Sequence, residues 1–170
     1  MSAFELKTSL ARAAERLARE PHSAARPRRD RGAARIPGAV ERKIAALLLV
    51  RDKPSLSRVH RELLRFCDRR GLTAPSRATL YNAIERIELP EISTATLPTN
   101  VRDALYNLGV ANTVPAAQLV FYAFNYGTPD ALSFAAGAPW LWLLRASRLT
   151  GWRPKSLALL QAVLSYRGIS

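Results

Sequence analysis

The most constraining feature of this chain is a pair of short amphipathic patterns between Pro54 and Ile87, each opened by a serine. In the first pattern, apolar residues recur at spacings that place them on one face of an α-helix over about 55–70. They are Leu56, Val59, Leu63, Phe66 and Cys67. Ser55 is a suitable N-cap for this helix, and Gly71 is a suitable residue to end it. The pattern therefore predicts a short helix with a well-defined start and stop.

A second helix is predicted from the capping residue Ser76 to about Ile87. Its inward face carries Leu80, Ala83, Ile84 and Ile87. A further helix precedes both, from Gly38 to Arg51, and its inward residues are Val40, Ile44, Leu47 and Leu48. Three helices around a small core make up a helix-turn-helix domain over residues 39–90, with or without a wing formed by residues 91–96.

In a helix-turn-helix, the last helix lies in the major groove and its exposed side chains contact base edges. The exposed positions of the predicted third helix, and therefore the candidate DNA-reading residues, are Ser76, Arg77, Thr79, Tyr81, Asn82 and Arg86. Arginines on the preceding helix are candidates for phosphate contacts. They are Arg58, Arg61, Arg65 and Arg70. The alternative is a plain three-helix bundle whose arginines are only solvated.

The charge of the chain is strongly basic and concentrated toward its N-terminal half. The formal net charge is +13 and the sequence pI is about 11.1. Residues 1–90 hold 20 Lys/Arg against 10 Asp/Glu, and residues 91–170 hold 6 against 3. Such an excess favours a polyanionic partner. An arginine-rich genomic composition without function is the alternative explanation.

The first 38 residues divide into two predicted segments. Residues 1–20 form an amphipathic helix with a narrow apolar stripe, and residues 21–38 form a flexible basic linker rich in proline and glycine. Arg28 and Arg29 in this linker are candidate phosphate contacts, because basic arms accompany many helical DNA readers. The linker is equally well explained as a solvated connector.

The C-terminal region, residues 98–170, is predicted to be an apolar helical domain. Its helices are expected at about 99–108, 115–126, 129–136, 139–149 and 154–167, and the chain as a whole is predicted to be all-α. Four of its aromatic residues are candidates for a dimer or partner interface. They are Trp140, Trp142, Tyr122 and Tyr126. The alternative for most of them is a place in the core.

Catalytic and metal-binding patterns are missing from the sequence. The single cysteine, Cys67, is expected to be a core thiol, and its spacing of seven residues from His60 is too long for an activated Cys-His pair. Zinc-ligand spacings, phosphate-binding loops and nucleophile elbows are not found. We therefore expect a protein that is not an enzyme and that needs no metal ion or cofactor. One cysteine, no apolar signal segment and no run of about 20 apolar residues indicate a cytoplasmic protein without a membrane span.

Residues 54–87, which include PSLSRVHRELLRFCDRRGLTAPSRATLY, resemble the helix-turn-helix DNA-binding subdomain of Mu-type transposases and related integrases. The resemblance implies DNA binding. It does not extend to transposition chemistry, because the acidic catalytic core of that family is missing. The whole chain loosely resembles the DNA-binding antitoxin regulators of toxin–antitoxin pairs, which implies autorepression and binding of a cognate toxin.

Together these patterns predict a sequence-specific reader of double-stranded DNA, a dimeric regulator or an antitoxin. The alternative is a protein-interaction module that binds a partner through its aromatic C-terminal half and has only non-specific affinity for nucleic acid. An RNA-binding role is a third hypothesis, although the third helix lacks the interleaved aromatic residues that stack on single strands.

Overall fold

A computed structural model of the chain describes residues 36–108 and 111–169. The described part is mostly helical, as predicted, with one small antiparallel sheet. Its α-helices are α1 (Gly38–Leu48), α2 (Leu56–Asp68), α3 (Arg77–Arg86), α4 (Thr99–Asp103), α5 (Ala116–Tyr126), α6 (Pro129–Ala136), α7 (Trp140–Ser147) and α8 (Pro154–Tyr166). The two strands are β1 (Glu91–Ser93) and β2 (Thr113–Pro115), and Thr94–Thr96 and Tyr106–Leu108 are 3₁₀ turns. The predicted N-terminal helix, and the predicted linker up to residue 35, lie outside the described residues.

Helices α2 and α3 begin where the capping serines place them. The Ser55 hydroxyl accepts a hydrogen bond from the backbone N–H of Arg58 at 3.3 Å, and the Ser76 hydroxyl accepts one from Thr79 at 3.1 Å. Both bonds satisfy donors that the first turn of a helix leaves without partners. After α2 the chain turns through Gly71 at φ 61°, a conformation that glycine adopts without steric cost.

The core of this first region is built from the inward residues of all three helices. Fully buried side chains come from α1, α2 and α3, and α1 packs against both of the other helices. They are Val40, Ile44, Leu48, Val59, Leu63, Cys67 and Leu80. The predicted inward faces are therefore confirmed at these positions, and the sulfur of Cys67 is a core thiol as expected.

Strand β1 lies within residues 91–96, where the sequence left a wing open, but its partner β2 was not predicted. Strand β1 pairs antiparallel with β2, so that Ile92 lies opposite Val114, and the two strands are separated by α4. The pair is therefore not a local hairpin wing. Three-residue strands are too short to show the alternation that identifies a strand in a sequence, and Val114 is completely buried.

The helix predicted over 99–108 is shorter than expected. Helix α4 ends at Asp103, and the chain continues through tighter turns. The N–H of Leu105 bonds to the carbonyl of Arg102 at 2.8 Å, and that of Leu108 bonds to the carbonyl of Leu105 at 2.8 Å. These bonds span three residues rather than four, which is the 3₁₀ pattern.

Helices α5 to α8 form the larger part of the core. Helix α5 is central, since it packs against α6, α7 and α8. The largest fully buried side chains here are Leu119, Leu141, Leu143 and Leu160. No helix in residues 36–108 and 111–169 is both long and apolar enough to cross a membrane.

The two halves are not separate domains. The chain from Ile36 onward forms one compact unit, although residues 39–90 and 98–170 were predicted as two. The Trp140 indole donates to the carbonyl of Leu48 at 2.7 Å, and the Trp140 backbone N–H donates to the carbonyl of Arg51 at 2.9 Å. Helix α1 ends at Leu48, before the predicted Arg51, so the Leu48 carbonyl has no partner within the helix and is free to accept from the indole, whereas the Arg51 carbonyl lies beyond the helix.

The prediction that Trp140 is an interface anchor is therefore wrong. Its side chain is only 4% exposed, because the large ring fills the space between the two halves. The indole N–H finds a partner at the end of α1, as buried tryptophans usually require. No short-range pattern in the sequence links residue 140 to residue 48.

Candidate nucleic-acid interface

The outer face of α3 carries most of the predicted reading residues. Five of them are exposed to solvent, and they are Ser76, Arg77, Tyr81, Asn82 and Arg86. Thr79 is only half-exposed, and its hydroxyl is 2.9 Å from the hydroxyl of Ser76. Thr79 and Ser76 thus engage each other at the start of the helix, and the free polar face is formed by the other four residues.

The start of α3 is tied to α2. The Nε2 atom of His60 donates to the carbonyl of Pro75 at 3.2 Å. Pro75 directly precedes the capping residue Ser76, so this bond fixes the point at which α3 begins. Eight residues, 69–76, separate α2 from α3, whereas the usual turn in a helix-turn-helix has three or four.

The end of α3 is held by the C-terminal half. The guanidinium of Arg145, on α7, donates to the carbonyls of Ile84 at 3.2 Å and Glu85 at 2.5 Å. The last carbonyls of a helix lack partners within the helix and attract cations through the helix dipole. The Glu85 carboxylate is paired with Arg148 at 3.2 Å. Sequence reasoning missed Arg145, because some 60 residues separate it from its partners.

The outer face of α2 is a row of arginines. Arg58, Arg61, Arg65 and Arg69 are all exposed, and their spacings of three, four and four place them on one side of the helix. The row is about 16 Å long at the helical rise per residue. Arg69 was not among the predicted contacts, although the same spacing identifies it. Glu62 pairs with Arg65 at 3.4 Å, an exposed pair of small energetic value.

Arg70, a predicted phosphate contact, lies two residues beyond the end of α2. Its guanidinium stacks over the ring of Phe66 at 4.7 Å, and Lys43 approaches the same ring at 5.9 Å. Arg70 is still exposed, so its charge adds to the basic surface without joining the row. Arg28 and Arg29 lie outside the described residues.

The remaining predicted interface aromatics are partly buried. Trp142 has a buried indole nitrogen with no hydrogen-bond partner, and Tyr122 and Tyr126 contact each other with ring centroids 5.8 Å apart. These residues thus belong partly to the core and partly to the surface.

Catalytic and metal-binding arrangements are not seen in residues 36–108 and 111–169. No three His, Cys, Asp or Glu side chains come together in a way that holds a metal ion. His60 is bonded to a backbone carbonyl, and Cys67 is buried. The chemistry that the exposed α2 and α3 faces offer is ionic contact and hydrogen bonding.

Comparison with known proteins gives no relative. No protein-family model, no curated protein and no solved structure matches the chain.

Proposed function

We propose that this protein is a sequence-specific reader of double-stranded DNA and that α3 is its reading helix. The observation that carries the proposal is the fixing of α3 at both ends, by His60 at its start and by Arg145 at its end. A helix held in this way presents Arg77, Asn82 and Arg86 to solvent in one orientation. Such pre-orientation lowers the ordering cost of binding.

The residue types on α3 suit the major groove. An arginine makes a bidentate contact with guanine, and an asparagine makes the equivalent contact with adenine. We assign these roles to Arg77 and Asn82, with Arg86 and Tyr81 as further contacts along the helix. Ser76 and the first N–H groups of α3 are suited to a phosphate, because a helix N-terminus attracts anions.

The arginine row of α2 supplies the contacts that do not depend on sequence. Each phosphate that Arg58, Arg61 or Arg65 neutralises adds about −0.9 to the slope of log affinity against log salt. This role distinguishes α2 from α3, since α2 strengthens binding to every duplex and α3 discriminates among duplexes.

The experiment is a selection of bound duplexes from a random library, followed by fluorescence anisotropy. The selected duplex and a shuffled duplex of equal length are titrated from low to physiological salt. We expect a preference of about 10³-fold or more for the selected duplex. The proposal would be contradicted if the two duplexes bound with equal affinity and if both affinities fell to the same extent as the salt concentration rose. That result would favour a three-helix bundle whose arginines are only solvated.

Autoregulation is an extension of this proposal, which rests on the loose resemblance to antitoxin regulators. We expect the DNA upstream of the protein's own coding sequence to bind with the affinity of a selected duplex. An upstream duplex that binds no better than a shuffled one would remove this extension and leave the reading role of α3 untouched.

A second candidate function is self-association through α8. The exposed face of this helix has no charged residue from 156 to 166, and it includes Leu159 at 45% and Tyr166 at 93% exposure. This outer face carries no charge, although Gln161 and Ser165 are also exposed on it, and an uncharged face with large exposed side chains marks an interaction surface. We assign a second copy as the cover, since two chains of net charge +13 repel each other least where neither presents a charge.

Light scattering across a concentration series tests this assignment. We expect a dimer that the substitution Leu159→Lys converts to a monomer. Phe134→Lys on α6 is the matched control, since Phe134 is 43% exposed and lies on another helix. A monomer at all concentrations, or equal effects of the two substitutions, would contradict a dimer through α8.

A further inference from the structure

The C-terminal half carries a cluster of aromatic rings that has no role in the duplex contacts proposed for α2 and α3. It is built around Tyr126 on α5, whose ring centroid is 5.8 Å from those of both Tyr106 and Tyr122. The cluster continues from Tyr122 through Phe121 to Trp152. Tyr106 is 64% exposed, and Tyr122, Tyr126 and Trp152 are half-exposed. Several of these rings are thus accessible from solvent.

An arginine lies within this cluster in a fixed orientation. The guanidinium of Arg153 stacks over the ring of Tyr126 at 4.4 Å, and one of its terminal nitrogens donates to the carbonyl of Asn125 at 2.9 Å. The residue is exposed, and no carboxylate pairs with it in the part of the chain that is described. One face and one N–H of the guanidinium are held, so the charge and the remaining N–H groups are directed to solvent.

The backbone around the cluster is built to hold this arrangement. The buried Asn125 side chain accepts a hydrogen bond from the backbone N–H of Arg153 at 3.1 Å, and its amide nitrogen has no partner. Gly151, at φ 88°, turns the chain directly before Trp152 and Arg153. Gly127 admits no side chain, because a Cβ atom there would lie 2.4 Å from the carbonyl of Ala123.

We infer that this aromatic cluster binds single-stranded nucleic acid, with unpaired bases stacked on the tyrosine rings and a phosphate held by Arg153. Aromatic faces beside a cation are the usual platform for single strands, because every base has a face that stacks. A duplex does not use such a platform, since its bases are already stacked on one another. The basic excess of the chain and the unpaired charge of Arg153 favour a polyanion over an uncharged proline-rich peptide, the other ligand that aromatic grooves bind.

The site is independent of α3, and its failure is therefore distinguishable from failure of the duplex-reading proposal. Arg77→Ala is expected to weaken binding to the selected duplex and to leave single-strand binding unchanged. A loss of single-strand binding in Arg77→Ala would overturn the assignment of a separate site.

The experiment compares two twelve-nucleotide probes with the full chain, by anisotropy at physiological salt. One probe is oligo-dT, and the other is an abasic strand with the same number of phosphates. We expect a preference for oligo-dT that Tyr106→Leu lowers by at least about fivefold, since stacking on one ring contributes at least that much. Tyr106→Phe keeps the ring and is expected to retain the preference.

The matched control is Phe134→Leu, which removes an exposed ring on α6 that takes part in none of the ring contacts of the described residues. It is expected to have no effect. Arg153→Gln is expected to reduce the salt slope of oligo-dT binding by about 0.7, the value for one phosphate of a single strand.

Three results would overturn the inference. The first is equal affinity for the oligo-dT and abasic probes, and the second is equal effects of Tyr106→Leu and Phe134→Leu. The third is binding of a polyproline decapeptide that depends on Tyr106, without any effect of Tyr106→Leu on oligo-dT binding. The last result would identify the cluster as a peptide site.

Discussion

The region of α1 to α3 and the region of α5 to α8 use their surfaces in opposite ways. Residues 36–90 hold 11 Lys/Arg and 6 Asp/Glu, whereas residues 111–169 hold 5 and 1. The first region places a small core beneath a densely charged surface, and the second surrounds a large core with aromatic and apolar side chains. The contrast fits the proposal that duplex DNA contacts the first region and that the second region holds the reading helix in place.

The support is physical and passes through a few long-range contacts. Trp140 closes the end of α1, and Arg145 holds the end of α3. A third contact is made by Arg167, which is 8% exposed and donates to the carbonyls of Ala136 and Ala138 at 2.8 and 2.9 Å. The same guanidinium also bonds to the carbonyl of Arg51, after α1. We therefore expect the two regions to unfold together despite their different surfaces.

The largest expected effect concerns that shared stability. Trp140→Ala removes a buried ring and the N–H that bonds to Leu48, and we expect it to lower the free energy of unfolding by about 3–5 kcal/mol. Urea denaturation followed by circular dichroism measures the loss. Tyr81→Ala, which removes an aromatic ring at a 57% exposed site, is the control and should change stability far less. A Trp140→Ala transition in which only part of the helix signal is lost would show that the two regions are independent.

A smaller effect is expected where the C-terminal half holds α3. Arg145→Met keeps much of the side-chain volume but leaves the carbonyls of Ile84 and Glu85 without this donor. We expect a loss of about 1.5–3 kcal/mol in unfolding free energy, the usual range for a hydrogen bond to a charged group. Preference for the selected duplex over the shuffled one should fall as well, because α3 loses its fixed end.

Arg148→Met is the control, since Arg148 contacts only the Glu85 side chain and is 52% exposed. Unchanged preference in a destabilised Arg145→Met protein would separate stability from reading.

The arginine row of α2 is expected to act on affinity alone. Arg61→Ala should weaken binding to selected and shuffled duplexes by the same factor and should reduce the salt slope for each by about 0.9. Anisotropy at four or more salt concentrations measures the slope. A larger loss on the selected duplex than on the shuffled one would move Arg61 from the phosphate-contacting group to the reading group.

The smallest effect is expected at the cap of α3. Ser76→Ala removes the acceptor for the N–H of Thr79 and should cost about 1 kcal/mol of stability, whereas Ser76→Gly should cost only a few tenths. Thermal or urea denaturation compares the two variants. Equal losses for alanine and glycine would indicate that the hydroxyl serves a purpose other than capping.

Sequence patterns predicted the features that depend on neighbours along the chain. The caps at Ser55 and Ser76, the buried Cys67 and the exposed face of α3 all follow from helical spacing and capping preferences. The features that were missed depend on distant residues. Burial of Trp140 needs the end of α1, and strand β2 exists only because β1 lies beside it. No local pattern encodes a contact between residues 20 or more positions apart, as in the pairing of Ser93 with Thr113.

The most direct test of the account is the effect of Asn82→Ala on two duplexes. Asn82 is exposed on α3, and its side chain forms no hydrogen bond with another of the described residues. Removal of its amide group should therefore leave folding intact. We expect Asn82→Ala to weaken binding to the selected duplex by about 1–3 kcal/mol and to leave binding to the shuffled duplex nearly unchanged. An equal loss on both duplexes, or no loss on either, would contradict the assignment of α3 as the reading helix.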